Sequence, residues 1–144
     1  MQMTVKAIPQ LIGMIERFPK VPVILDHLAK PVLSDGPPYA AAADVFRLAR
    51  YKNLYLKVTP RTVEEASNGK ATPESFFPLL VSEFGVSRIA WGSNFPASEG
   101  TLAELLKTSQ EGLSVLSAGD QEWIFSKTAL TLYPALAGHA VAVK

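Results

Sequence analysis

The residues able to do chemistry are few. The 144-residue chain has two histidines, His27 and His139, and no cysteine. Counting therefore rules out a histidine-rich metal centre, a thiolate zinc site, a cysteine nucleophile and a disulfide framework. The remaining candidates gather after apolar, β-branched runs: Asp26-His27 after Val21 to Leu25, Lys57-Val58-Thr59 after Asn53 to Leu56, and Gly92-Ser93-Asn94-Phe95-Pro96 after Ser87 to Trp91. In parallel α/β folds, ligands bind where strands end at their carboxyl termini. One polar strand end is an ordinary loop start, but three together point to a site. Lys57 and Arg61 could hold a substrate carboxylate through charge-assisted hydrogen bonds, although solvated loop charge is the plainer account of Arg61. Asp26 and His27 are neighbours, and successive strand residues face opposite ways, so one of the two is expected to face the site. His139, in a small-residue apolar tail, reads as merely exposed, and Trp91, Phe95 and Trp123 as core or pocket lining.

The elements that must position these groups can be read from periodicity. Ile8, Leu11, Ile12 and Ile15 recur at helical spacing, which predicts a helix over about 7–18 ended by Pro19. Val21 to Leu25 predicts a strand covered on both faces. A Pro- and Gly-rich loop precedes a helix over 40–50, and Asn53 to Val58 predicts a second strand. Thr59 to Thr72 reads as a polar loop. A helix is expected over about 75–84 with Pro78 in its first turn and Gly85 at its end, then a third strand at Ser87 to Trp91. Thr101 with Glu104 forms a capping box for the next helix, and Asp120 is expected to cap the last one. Strands alternating with helices imply a parallel sheet with right-handed crossovers. Three strands are few for such a sheet, so it is open and incomplete or part of something larger.

Composition narrows the partners. With 14 basic against 13 acidic residues the net charge is +1, which gives no electrostatic reason to expect a nucleic acid or an anionic membrane. No apolar run approaches the roughly 20 residues of a membrane span, and residues 1–8 do not read as a secretory signal. A soluble, cytoplasmic protein is expected. No repeat, linker or low-complexity segment divides the chain, so residues 1–144 read as one domain with a loose tail from Gly138.

The strand segments resemble a known family. Val23-Ile24-Leu25-Asp26-His27-Leu28-Ala29-Lys30-Pro31, Asn53-Leu54-Tyr55-Leu56-Lys57-Val58 and Phe84-Gly85-Val86-Ser87-Arg88-Ile89-Ala90-Trp91-Gly92-Ser93-Asn94-Phe95-Pro96 are similar, in order and spacing, to the last three strands of the amidohydrolase-related barrel hydrolases. That group includes 2-pyrone-4,6-dicarboxylate lactonase and sugar lactonases. The resemblance runs from the first helix to about Leu136. It implies the C-terminal portion of a (β/α)8 barrel, about three βα units plus terminal helices, and a hydrolase acting on a lactone or similar ester or amide of a small carboxylated compound.

Within that resemblance His27 falls on an active-site histidine that binds a metal or polarises the substrate carbonyl. Read without it, His27 is a histidine hydrogen-bonded at a strand end. Asn94 falls where most members carry the aspartate that acts as general base, and an amide cannot take a proton from water. Ser93, Lys57 and Arg61 are the expected substrate-binding residues. The His-x-His pair that the family carries on its first strand is absent from the sequence. A divalent metal such as zinc belongs to the complete fold, with His27 as a ligand only if other ligands complete the set; none is expected for this chain alone. The alternative is a catalytically inactive half-barrel that binds a small ligand or another chain. Cut from a closed barrel, three strands leave two unpaired edges, so self-association or pairing with an N-terminal barrel portion is expected. Val23, Leu25, Leu54, Leu56 and Ile89 are expected to include interior-facing residues left without partners.

Overall fold

The computed structural model describes residues 1–139, so the end of the tail read as loose lies outside the described residues, as does the side chain of His139. Three strands, β1 (Val23–Asp26), β2 (Leu54–Val58) and β3 (Ile89–Trp91), form one sheet in the order β1-β2-β3. Both pairings are parallel, with Leu25 beside Leu56 and Leu56 beside Ile89. Helices join the strands: α1 (Ile8–Arg17) precedes β1, and α2 (Ala43–Arg47), extended by single 3₁₀ turns on both sides, links β1 to β2. Next come α3 (Pro60–Glu65) and α4 (Pro73–Phe84) before β3, then α5 (Leu102–Leu113), α6 (Ala118–Glu122) and α7 (Thr128–Leu132). A π-helical turn, Trp123–Lys127, makes α6 and α7 one continuous rod.

The two faces of the sheet differ. Leu25, Leu54, Leu56, Val58 and Ile89 are wholly buried. They join Leu11 and Ile15 of α1, Phe76, Phe77 and Leu80 of α4, Leu113 of α5 and Ile124 in one apolar cluster. The opposite face carries Ile24, Asp26, Tyr55 and Lys57, all half-buried. The leucines expected to lack partners are therefore the helix-facing set, because the period of two along each strand sends them under the helices and leaves the other row uncovered.

Arg88 ties the pole where the strands begin. Its guanidinium is buried and donates to the carbonyls of Phe84, Tyr51 and Ala49 at 2.7, 2.8 and 2.9 Å. Those oxygens close the helical segments before β2 and β3, where carbonyls have no intrahelical partner, and a planar fork of donors suits several at once.

The local expectations need four corrections. The segment after β2 is not all loop: Pro60–Glu65 is helical, with Thr59 and Thr62 in a reciprocal capping arrangement, Pro60 in the first turn and Val63 buried. Helix α4 begins at Pro73, where Thr72 accepts from the Ser75 amide, so Pro78 lies in the helix interior and not in its first turn. Ser87 belongs to a 3₁₀ turn, and β3 starts only at Ile89. The cap of α6 is Ser117, whose hydroxyl accepts from the amide of Asp120. The Thr101–Glu104 capping box forms as expected.

Candidate functional site

At the end of β1 the chain does something unusual for residues with a Cβ. His27, Leu28, Ala29 and Lys30 all take left-handed conformations, with φ of 52°, 53°, 60° and 55°. Each such residue costs on the order of 1–2 kcal/mol, so a run of four must be held by its surroundings. Leu28 and Ala29 are completely buried, and the Lys30 amide closes the turn on the His27 carbonyl at 2.8 Å. The strand alternation therefore stops at Asp26, and His27 follows the turn instead.

His27 is 7% exposed, and its Nδ1 lies 3.0 Å from Thr59 Oγ1 at the end of β2. Burial holds its pKa below the usual 6.5, helped by the cation of Lys57, opposed by the carboxylate of Asp26, and helped again by Lys30 and Arg61. The ring is thus neutral at neutral pH. Thr59 also closes on Thr62: its backbone amide donates to Thr62 Oγ1 at 3.2 Å.

His27, Lys30, Arg61 and Thr62 line a cavity of about 210 Å³, with Pro31, Val32 and Leu33 as its apolar wall. Glu65, also on the rim, accepts from the Leu33 amide at 3.2 Å and so pins the wall to α3. A second cavity of about 280 Å³ is lined by Arg61, Glu64, Asn94, Ser98 and Glu99. Arg61, in the first turn of α3, thus borders both. His27 and Asn94 lie at the same sheet edge, as parallel strands require, but in adjoining cavities that share this arginine.

The other expected site residues are committed elsewhere. Lys57 Nζ is 2.6 Å from Asp26 Oδ1, its partner in the β1–β2 register, and lines neither cavity. Its stem lies against Gly92, where an added Cβ would come within 2.8 Å of Lys57 Cδ. Ser93 Oγ accepts from the Phe95 amide at 3.2 Å and so shapes the turn. Asn94 has a left-handed φ of 56°, which asparagine tolerates, and its amide nitrogen donates to Ser98 Oγ at 2.9 Å. Sequence reasoning named Thr59 only as part of a polar strand end, and missed Thr62 and Lys30. The Thr-Pro-x-Thr pattern directly after an apolar strand was the available signal, weakened by the lack of Glu or Gln at the fourth position.

No group of three His, Cys, Asp or Glu among the described residues could hold a metal ion. With Nδ1 engaged by Thr59, His27 has one further nitrogen to offer. A catalytic zinc usually takes three protein ligands, so the residues present do not fit one.

The sequence profile of the amidohydrolase family matches residues 1–135. An L-fucono-1,5-lactonase from Burkholderia ambifaria is 28% identical over 96 residues, which is 66% of this chain and 33% of that protein. Among solved structures, an amidohydrolase from Burkholderia multivorans with bound zinc superimposes with a TM-score of 0.68 at 19% identity, over 91% of this chain and 50% of that one. A Pseudomonas putida protein assigned as a 2-pyrone-4,6-dicarboxylic acid hydrolase gives 0.69 at 21% identity, over 91% and 49%. An Acinetobacter baumannii protein of similar assignment, crystallised with citric acid, gives 0.69 at 14% identity, over 92% and 51%. The chain spans about a third of that curated relative and about half of the solved chains. It belongs to the amidohydrolase family, and its three parallel strands with their helices superimpose on about half the length of the solved chains.

Proposed function

We propose that this chain carries half of a hydrolase site for a lactone, or a similar ester or amide, of a small carboxylated compound. The observation that supports it best is the shared cavity of neutral His27 with the cations Arg61 and Lys30. A carboxylate beside Arg61 would bring a neighbouring carbonyl towards the imidazole, and charge-assisted hydrogen bonds are the strong ones. In this reading His27 polarises the carbonyl, Arg61 holds the carboxylate, and Asn94 orients a water or hydroxyl without accepting its proton. Lys57, held by Asp26, and Ser93, held in its turn, shape the site without touching the ligand.

A second reading has its own support. Asn94 is no base, and the described residues offer no metal cluster, which suits a half-barrel that binds a ligand or another chain without turning it over. The half-buried row Ile24, Asp26, Tyr55 and Lys57 would then meet an N-terminal barrel portion or a second copy. The relatives suggest the probes. Calorimetric titration with citrate and with 2-pyrone-4,6-dicarboxylate, paired with ultraviolet assay of ring opening, separates the two readings. Binding with turnover supports the first and binding without turnover the second. Binding that is unaffected by Arg61→Met sinks the carboxylate assignment in both.

A further inference from the structure

Thr59 has one hydroxyl proton and two polar side-chain neighbours, His27 Nδ1 at 3.0 Å and Thr62 Oγ1 at 3.4 Å, while the Thr62 amide donates to the Thr59 carbonyl at 2.8 Å. Thr62 Oγ1 already accepts from the Thr59 amide, and 3.4 Å is beyond the roughly 2.5–3.0 Å of a good O–H···O bond. The proton is left for the nearer group, the ring nitrogen. A nitrogen that accepts cannot itself carry a proton, and in a neutral imidazole the proton then sits on the other one.

We infer that Thr59 is a positioning residue that fixes His27 in the Nε2–H tautomer, so that the ring offers its cavity a hydrogen-bond donor and not a lone pair. Thr59 stood in the sequence only as the last residue of a polar strand end, and it touches the ring through a bond between neighbouring strand ends. The consequence is chemical. A donor at Nε2 suits a carbonyl oxygen of a neutral ligand, whereas a metal ion needs the lone pair and would require Thr59 to turn its hydroxyl and accept from Nδ1–H. Thr62 sets the direction, because its oxygen already accepts from the Thr59 amide and offers the Thr59 hydroxyl only a long contact. This inference rests on the site reading of His27 only for its meaning in catalysis; the tautomer itself is measurable without any ligand.

The test is a long-range proton–nitrogen correlation spectrum of the uniformly ¹⁵N-labelled chain at about pH 8, where imidazole is neutral. His27→Gln identifies the His27 signals. Wild type and Thr59→Ser should give an unprotonated shift at Nδ1 and a protonated one at Nε2. Thr59→Val, which removes the hydroxyl and keeps the shape, should move both nitrogens towards averaged values. Protonated Nδ1 in the wild type, or a Thr59→Val spectrum identical to it, overturns the inference. Should Thr59→Val fail to fold, the wild type and Thr59→Ser still decide the tautomer. If the tautomer stands while citrate and 2-pyrone-4,6-dicarboxylate fail to bind, the proposed function falls and the role of Thr59 does not.

Discussion

The turns that follow β1 and β3 both use left-handed residues and both carry a candidate site side chain, yet they are held in opposite ways. The His27 turn is fixed from a distance: Leu28 and Ala29 are fully buried, and the ring is bonded to Thr59, 32 positions away. The Asn94 turn is fixed by itself: Ser93 bonds the Phe95 amide, Asn94 bonds Ser98, and Phe95 is 55% exposed. The first is part of the core and the second is a surface loop. Chemistry that needs a rigid donor belongs at the first turn, and adaptation to different ligands at the second.

Truncating each turn should expose the difference most strongly. Leu28→Ala should cost about 2–5 kcal/mol, a fall of roughly 5–15 °C in melting temperature, while Phe95→Ala should stay within about 0.5 kcal/mol. Thermal denaturation by circular dichroism checks both, and equal losses would erase the contrast.

Ligand affinity is the next largest effect. Arg61→Met should weaken citrate about tenfold by calorimetry. Asn94→Asp, which adds a carboxylate to a cavity already bordered by Glu64 and Glu99, should weaken it by a few-fold. An unchanged affinity in Asn94→Asp would detach the second cavity from binding.

The pH profile should belong to the His27 turn. Its folded pKa lies below the 6.5 of an ordinary histidine, so near pH 7 the group carries no charging penalty. As the pH falls through 6.5 the unfolded chain binds the proton first, and stability declines until the folded pKa is passed. Lys57, Lys30 and Arg61 strengthen this slope and Asp26 weakens it. Urea denaturation across this range should show the slope in the wild type and a flatter profile in His27→Gln. An identical profile would mean that folding does not lower the pKa of this histidine.

The smallest change should come from glycine. Lys30 is exposed with φ of 55°, and Lys30→Gly removes a Cβ from a left-handed position, for a gain of at most about 1 kcal/mol. Asn94→Gly should gain less, because asparagine already tolerates that region.

What the sequence made legible follows the same division. The strands, their parallel order and the polar groups at their ends could be read from apolar runs and punctuation, since those signals are local. Helix α3 was missed because Thr62, not Glu or Gln, completes its cap and because the segment around it is polar. The left-handed run from His27 to Lys30 had no local signal at all, as none of its residues is glycine and the conformation is imposed by burial. Lys57 was read as a ligand-binding cation because its pairing with Asp26 exists only in the register of two strands 31 residues apart. Arg61 was named as a substrate-binding candidate with solvated loop charge as its plainer account, and the first turn of α3, invisible in the sequence, is what sets it between the cavities.

The Arg88 clamp has a consequence for how the molecule opens. A single guanidinium joins the ends of the two helical segments before β2 and β3 at the pole opposite the cavities. Amide hydrogens around Ala49, Tyr51 and Phe84 should therefore be among the last to exchange with deuterium, and those after Trp91 among the first. Slow exchange at one pole and rapid exchange at the other would make the sheet a hinge-less anvil. Loops at the cavity end could then breathe, or be rewritten by mutation, without the strands beneath them parting.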